Sequence, residues 1–252
     1  MTDLDINYSS ITELDLSNKE LTELPDLSMY VNLVKLDCSN NKFTQLDNLP
    51  PNIKELYCNR NQITQLNNLP QSLEILDCQY NNIIQLDNLP PNLKRLDCYS
   101  NSITQLDNLP LNLEKLYCSV NHITQLDNLP LNIKELYCEN NQITQLNNLP
   151  PNLKELNCNR NQITQLNNLP QSLEIFECSV NHITQLDNLP PNLEILHCDR
   201  NKLTQLDNLP PNIKELSCKL NPLQYDFEPT LENIQKHNAN ETKVPFQNLI
   251  FI

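Results

Sequence analysis

Ten cysteines stand at a strict 20-residue interval: Cys38, Cys58, Cys78, Cys98, Cys118, Cys138, Cys158, Cys178, Cys198 and Cys218. Thiols in such number could bind metal, pair as disulfides or run redox chemistry, and each use demands its own spacing. The C-x-x-C pairing of zinc and redox sites occurs nowhere in the chain. On neighbouring strands, in-register side chains project in parallel, which leaves Cβ atoms too far apart and wrongly aimed for a disulfide. The ten are therefore expected to be small buried hydrophobes, reduced, in a reducing compartment. The four histidines suit a metal no better. His122 and His182 share a repeat column yet lie three repeats apart, ~14 Å at strand spacing. His197 has acidic company in Asp199 and Glu177, as solvated strand-face residues often do. There is no G-x-S-x-G and no H-E-x-x-H, and the absence of glycine removes any phosphate-cradling loop. These residues imply no catalytic centre, no cofactor and no metal site.

The elements that position them follow from the repeat itself. One unit reads LPPNIKELYCNRNQITQLNN from Leu49, with apolar positions at Ile53, Leu56, Cys58, Ile63, Leu66 and Leu69. Leu56 and Cys58 are two apart, the alternation of a strand. The segment QLNNLPPN resists helix, because proline removes a donor and restricts the residue before it. Each unit thus predicts one short strand and an extended, polyproline-like return. Stacked units give a repeat solenoid with one parallel β-sheet, its strands ~4.8 Å apart. With no glycine to supply positive φ, the turns fall to Asn and Pro.

Asn41, Asn61, Asn81, Asn101, Asn121, Asn141, Asn161, Asn181, Asn201 and Asn221 occupy the position where the chain leaves the strand. An amide both donates and accepts, so this column is expected to satisfy buried backbone groups of its own and the adjacent unit. The first unit is irregular: Leu14, Leu16 and Leu21 take core positions, Lys19 stands where later units have Asn, and Leu14 to Leu36 is two residues longer. With Asp3, Asp5, Glu13 and Asp15 it reads as an end cap. At the other end Pro222 and Pro229 stop the pattern. A short helix is expected over 230–238, capped by Thr230 and presenting Leu231 and Ile234 on one face. The tail VPFQNLIFI is apolar enough to fold back over the last strand. The predicted organisation is an N-terminal cap over 1–27, repeats over 28–223 and a C-terminal cap over 224–252.

These residues resemble the leucine-rich repeat, with Cys in a strand position more often held by Leu or Val. The 20-residue length and the LP ahead of the strand are similar to the short subclass of bacterial effector proteins. The Asn-rich, cysteine-bearing form most resembles the leucine-rich-repeat proteins of giant viruses such as Mimivirus. The resemblance spans about residues 11 to 223. It implies a curved horseshoe or superhelix with the sheet on its concave face, an asparagine ladder, and ligand binding on that face. Some effectors of this class carry a ubiquitin-ligase domain after the repeats, but the segment after Pro222 is about 30 residues without Cys.

Charge narrows the partner. The net charge is −14, with 31 acidic against 17 basic residues, which argues against nucleic acid. No apolar run approaches the ~20 residues of a spanning helix. The start MTDLDINYSS lacks the pattern of a signal peptide, and Thr2 excludes N-myristoylation. A cytoplasmic protein is expected, in a host cytosol if viral. The sequons Asn7-Tyr-Ser and Asn240-Glu-Thr are ordinary in so Asn-rich a chain.

Variation between units separates scaffold from surface. ITQLDNLP hardly changes, whereas the columns of Glu55, Tyr57, Asn59, Arg60 and Gln62 differ from unit to unit, those of Tyr57 and Asn59 alternating with Leu56 and Cys58. Tyr57, Tyr80, Tyr99, Tyr117 and Tyr137, with Arg60, Arg160, His197 and Arg200, make the candidate partner-binding surface, since tyrosine and arginine dominate interface anchors. The acidic convex row Asp47, Asp87, Asp107, Asp127, Asp187 and Asp207 reads as solubility. Residues 51–90 match 151–190 at 32 of 40 positions, a block duplication that could lengthen the scaffold before any ligand uses it. Two functions follow: a monomeric protein-interaction module, or a structural or assembly protein that contacts its own copies or a particle surface.

Overall fold

A computed structural model describes residues 7–207 and 209–241. Asp3 and Asp5, the apolar tail and Thr242 of the second sequon lie outside those residues. Three-residue strands recur once per unit: β1 Glu13–Asp15, β2 Lys35–Asp37, β3 Glu55–Tyr57, β4 Ile75–Asp77, β5 Arg95–Asp97, β6 Lys115–Tyr117, β7 Glu135–Tyr137, β8 Glu155–Asn157, β9 Ile175–Glu177, β10 Ile195–His197 and β11 Glu215–Ser217. They form one parallel sheet in chain order. Each strand pairs in register with the next, so Leu36, Leu56 and Leu76 stand side by side. Strict register is what a constant repeat length dictates, because each residue then meets its own column in the next unit.

Behind the sheet the apolar columns fuse into one core running the length of the solenoid. Leu56, Cys58 and Ile63 are fully buried, as are their equivalents in the following units up to Leu196, Cys198 and Leu203, while Leu216 and Leu223 of the last unit are only partly buried. The return segment contributes Leu66 and Leu69, and no helix forms there. Proline still donates order: the Pro70 carbonyl accepts the Leu73 N–H at 3.1 Å, closing the turn that leads into β4. The backbone beyond each strand passes N–H groups across to the next unit, as Cys58 does to Asp77 O at 2.8 Å.

The expectation that Asn and Pro would make every turn is half right. One positive-φ column is all asparagine, from Asn48 to Asn188. The other lies just after the strand and takes almost any residue, including Arg60 (φ 55°), Tyr80 (φ 50°), Val120 (φ 56°) and Val180 (φ 59°). Left-handed backbone costs a non-glycine residue ~1–2 kcal/mol, and a β-branched one is a clear outlier. The register overrides that cost: Val120 N–H donates to Glu139 O at 2.8 Å, a bond repeated along the sheet.

The ends are built differently. In the first unit the N–H groups of Lys19 and Leu21 both donate to Asn41 Oδ1, at 3.1 and 2.9 Å. The asparagine of the second unit thus serves the first, which has none of its own. At the far end helix α1, Leu231–Glu241, starts at Thr230, whose Oγ1 accepts the Asn233 N–H at 3.2 Å, the expected cap. Ile234 is fully buried. Tyr225 stacks on Phe227 at 4.7 Å and its hydroxyl accepts the Leu206 N–H at 2.6 Å.

Candidate functional site

The asparagine column is a continuous hydrogen-bond ladder. In each unit Oδ1 accepts an N–H from the preceding unit and Nδ2 donates to carbonyls of its own and the preceding unit. Asn121 accepts Ile103 N–H at 2.9 Å and donates to Cys98 O and Cys118 O, each at 3.1 Å. A second ladder escaped sequence reasoning. Asn112 Nδ2 donates to Pro91 O at 3.0 Å, and Ser72 Oγ, in the same column, reaches Pro51 O at 2.7 Å. The signal was present as a column restricted to Asn and Ser, both able to bond a neighbouring carbonyl.

All ten cysteines are buried and unpaired. Burial pushes the Cys38 thiol up to about 12 and raises the others as well. They are protonated at neutral pH and shielded, which makes them packing groups rather than nucleophiles. A native sample treated with a thiol reagent should report few reactive groups, rising to ten after denaturation. Disulfides in a freshly purified, unreduced sample would contradict this.

The strand face carries the remaining chemistry, and its side chains do point away from the core. They are less open than alternation suggests. Tyr57, Tyr99, Tyr117 and Tyr137 are half-buried by their neighbours, Tyr80 is exposed, and Asp97 is buried at 7% exposure. Tyr117 and Tyr137 meet edge to face with ring centres 5.1 Å apart, and Tyr80 and Tyr99 do the same at 5.2 Å. Tyr117 donates to Glu135 and Tyr137 donates to Glu155, the latter at 2.8 Å. Burial, then Glu155, pushes the Tyr137 phenol up to about 12. Arg60 lies over the Tyr80 ring at 4.6 Å and Arg95 over Tyr117 at 5.3 Å.

The remaining expected residues are scattered. Arg160 and Arg200 are exposed at the strand exits, Arg160 lying 3.7 Å from Glu139. His197 does not use Asp199 or Glu177; its Nε2 lies 3.0 Å from Glu215 of the next strand. Asp199 is engaged by Ser217 and Glu177 by Asn159. Five tyrosines of the expected set therefore gather over β3 to β7, while Arg160, His197 and Arg200 belong to a separate stretch. Ile75, Arg95, Lys115 and Asp97 stand in columns that vary between units but were not among the candidate residues; the first three line a concavity with Tyr117. Among the described residues no cluster of His, Cys, Asp or Glu could hold a metal ion, and no helix is long and apolar enough to cross a membrane.

The family description "Leucine Rich repeats (2 copies)" matches residues 9–51. No curated protein matches the chain significantly. Among solved structures it is similar to YopM from Yersinia enterocolitica WA-314, at 26% identity and a TM-score of 0.53, over 86% of this chain and 71% of that one. It is similar also to the functional domain of InlJ from Listeria monocytogenes, described as including a cysteine ladder, at 29% identity and a TM-score of 0.69. That alignment covers 86% of this chain but only 56% of the other. A chain of the octameric complex of Latrophilin 3, Unc5D and the leucine-rich repeats of FLRT2 shares the fold, at 20% identity and a TM-score of 0.69, over 84% of this chain and 82% of that one. The fold is that of leucine-rich-repeat proteins, with 20-residue repeats resembling those of bacterial effectors.

Proposed function

We propose that this protein is a non-catalytic interaction module that binds a protein partner through its strand face, between β3 and β7. One observation carries the reading. The columns that build the scaffold barely vary, while the strand face varies and collects two edge-to-face tyrosine pairs with arginines stacked on them. Semi-rigid aromatic rings with polar tips lose little entropy on binding and dominate interface energetics. Leucine-rich-repeat scaffolds are protein-binding folds, which agrees with this use. The reduced, buried thiols suit a reducing compartment, and the resemblance to giant-virus repeats makes a host cytosol the place we assign.

The test is the double substitution Tyr117→Ala and Tyr137→Ala. Losing the ring pair should lower stability by only ~1 kcal/mol, while capture of the partner weakens by ~2 kcal/mol or more. Asp107→Ala with Asp127→Ala, on the exposed convex row, should leave capture unchanged. Equal loss from both pairs would move the working surface to the acidic back.

A second reading, an assembly protein contacting its own copies, is favoured by Leu111 and Leu131. They are 79% and 67% exposed on adjacent units, in a column that from Pro51 to Pro211 otherwise holds Pro or Gln. Sedimentation of the full chain separates the readings: a monomer at high concentration rejects self-assembly.

A further inference from the structure

A concavity of about 380 Å³ opens on the strand face across β4, β5 and β6, lined by Ile75, Arg95, Lys115 and Tyr117 with Glu74, Lys94 and Glu114 just ahead of the strands. Most of its charges are already spent. Glu74 takes Lys54 at 3.2 Å and Lys94 at 2.7 Å, Glu114 takes Lys134 at 2.7 Å, and Lys115 takes Glu135 at 2.7 Å. Arg95 is the least satisfied of them, held by the Tyr117 ring and one long ion pair. Its nearest carboxylate oxygen, on Asp97, is 3.7 Å away, and its Nε is a buried donor with no acceptor. A guanidinium has five N–H donors in a planar fork suited to a carboxylate. Ile75 is an aliphatic surface in a column otherwise charged through the first eight strands.

Resting on the strand-face reading above, we propose that this concavity takes an acidic side chain of an extended peptide segment, its carboxylate on Arg95 and a neighbouring aliphatic residue on Ile75. Charge complementarity selects this occupant, because a cationic ligand would have to displace lysines already paired to Glu74 and Glu114. The charge of the rest of the chain is screened beyond a Debye length of ~8 Å at physiological salt and acts mainly on the encounter rate; the nearby charge that a ligand carboxylate must compete with is Asp97, 3.7 Å from Arg95.

The experiment titrates the isotope-labelled full chain with an acetylated, amidated Leu-Glu-Leu-Glu-Leu peptide, its Gln analogue, and acetate, following backbone amides. The Glu peptide should bind ~tenfold more tightly than the Gln peptide, as a charge-assisted contact requires, with shifts centred on Ile75, Arg95 and Tyr117. Acetate alone should bind far more weakly, and equal binding would make this a site for free carboxylates instead of a peptide. Arg95→Gln, at a side chain 42% exposed, should keep the fold and abolish the preference, whereas Arg160→Gln should preserve it. Equal binding of both peptides on the strand face would overturn the acidic preference but keep the surface. Shifts confined to the convex side would overturn both, and no binding of the Glu peptide would overturn this inference.

Discussion

Asn121→Ala with Asn141→Ala is expected to destabilise the fold by more than the sum of the two single changes. Removing Asn121 alone strands one buried donor, Ile103 N–H, which no other group accepts. Its carbonyl partners are not stranded, since Cys98 O still receives Asn101 and Cys118 O still receives Asn141. A single change should therefore cost ~1–3 kcal/mol, the range for one orphaned buried group. The double change removes both side-chain donors from Cys118 O at once and orphans Ile123 N–H as well. A coupling of ~1 kcal/mol or more should appear in a double-mutant cycle. Asn121→Ala with Asn181→Ala, which share no partner, should be additive. Gln125→Ala, at an exposed position, should matter little. Chemical denaturation with amide exchange at Ile103 measures the effect. Additivity in the adjacent pair would show that water replaces the ladder.

Redundancy of this kind explains why the scaffold was legible in the sequence. A column read by every unit must hold one residue type, so Asn121 and Cys118 announce their roles by repetition. The same reasoning found the Thr230 cap and Ile234, because a terminal helix must bury one stripe against the last unit. It failed where a column's chemistry is local. Val120 and Tyr80 adopt left-handed backbone that neither residue prefers, because the inter-unit bond at that position uses only the backbone. The half-burial of Tyr117 and the choice of Glu215 by His197 depend on side chains 18 or 20 residues away, which alternation along one strand cannot reveal. Arg95 was passed over for the same reason: its column mixes charges of both signs. Only the neighbours' pairings show that it has hydrogen-bonding capacity left.

Asp97→Asn is expected to stabilise the protein at neutral pH and to have little effect near pH 4. Asp97 is buried in the middle of the strand face, in register with Asp77 on β4. Burial first, then the Asp77 charge, raises its carboxyl from 3.8 to about 6. The Tyr99 N–H, Arg95 and Gln79 only partly offset them, the last donating at 2.9 Å. A raised carboxyl pKa means the folded chain holds its proton more tightly than the unfolded chain. Below about pH 4 both states are protonated and nothing is lost. Between about pH 4 and 6 the unfolded state ionises first and stability falls; above that the loss is constant. At ~1.4 kcal/mol per pKa unit the penalty is on the order of 3 kcal/mol. Asparagine keeps the shape and the acceptor without the charge, so the stability difference between variant and wild type should grow from near zero at pH 4 to its full size by pH 7. Denaturant melts at both pH values measure it. A variant less stable at pH 7 would show instead that the Arg95 contact outweighs burial.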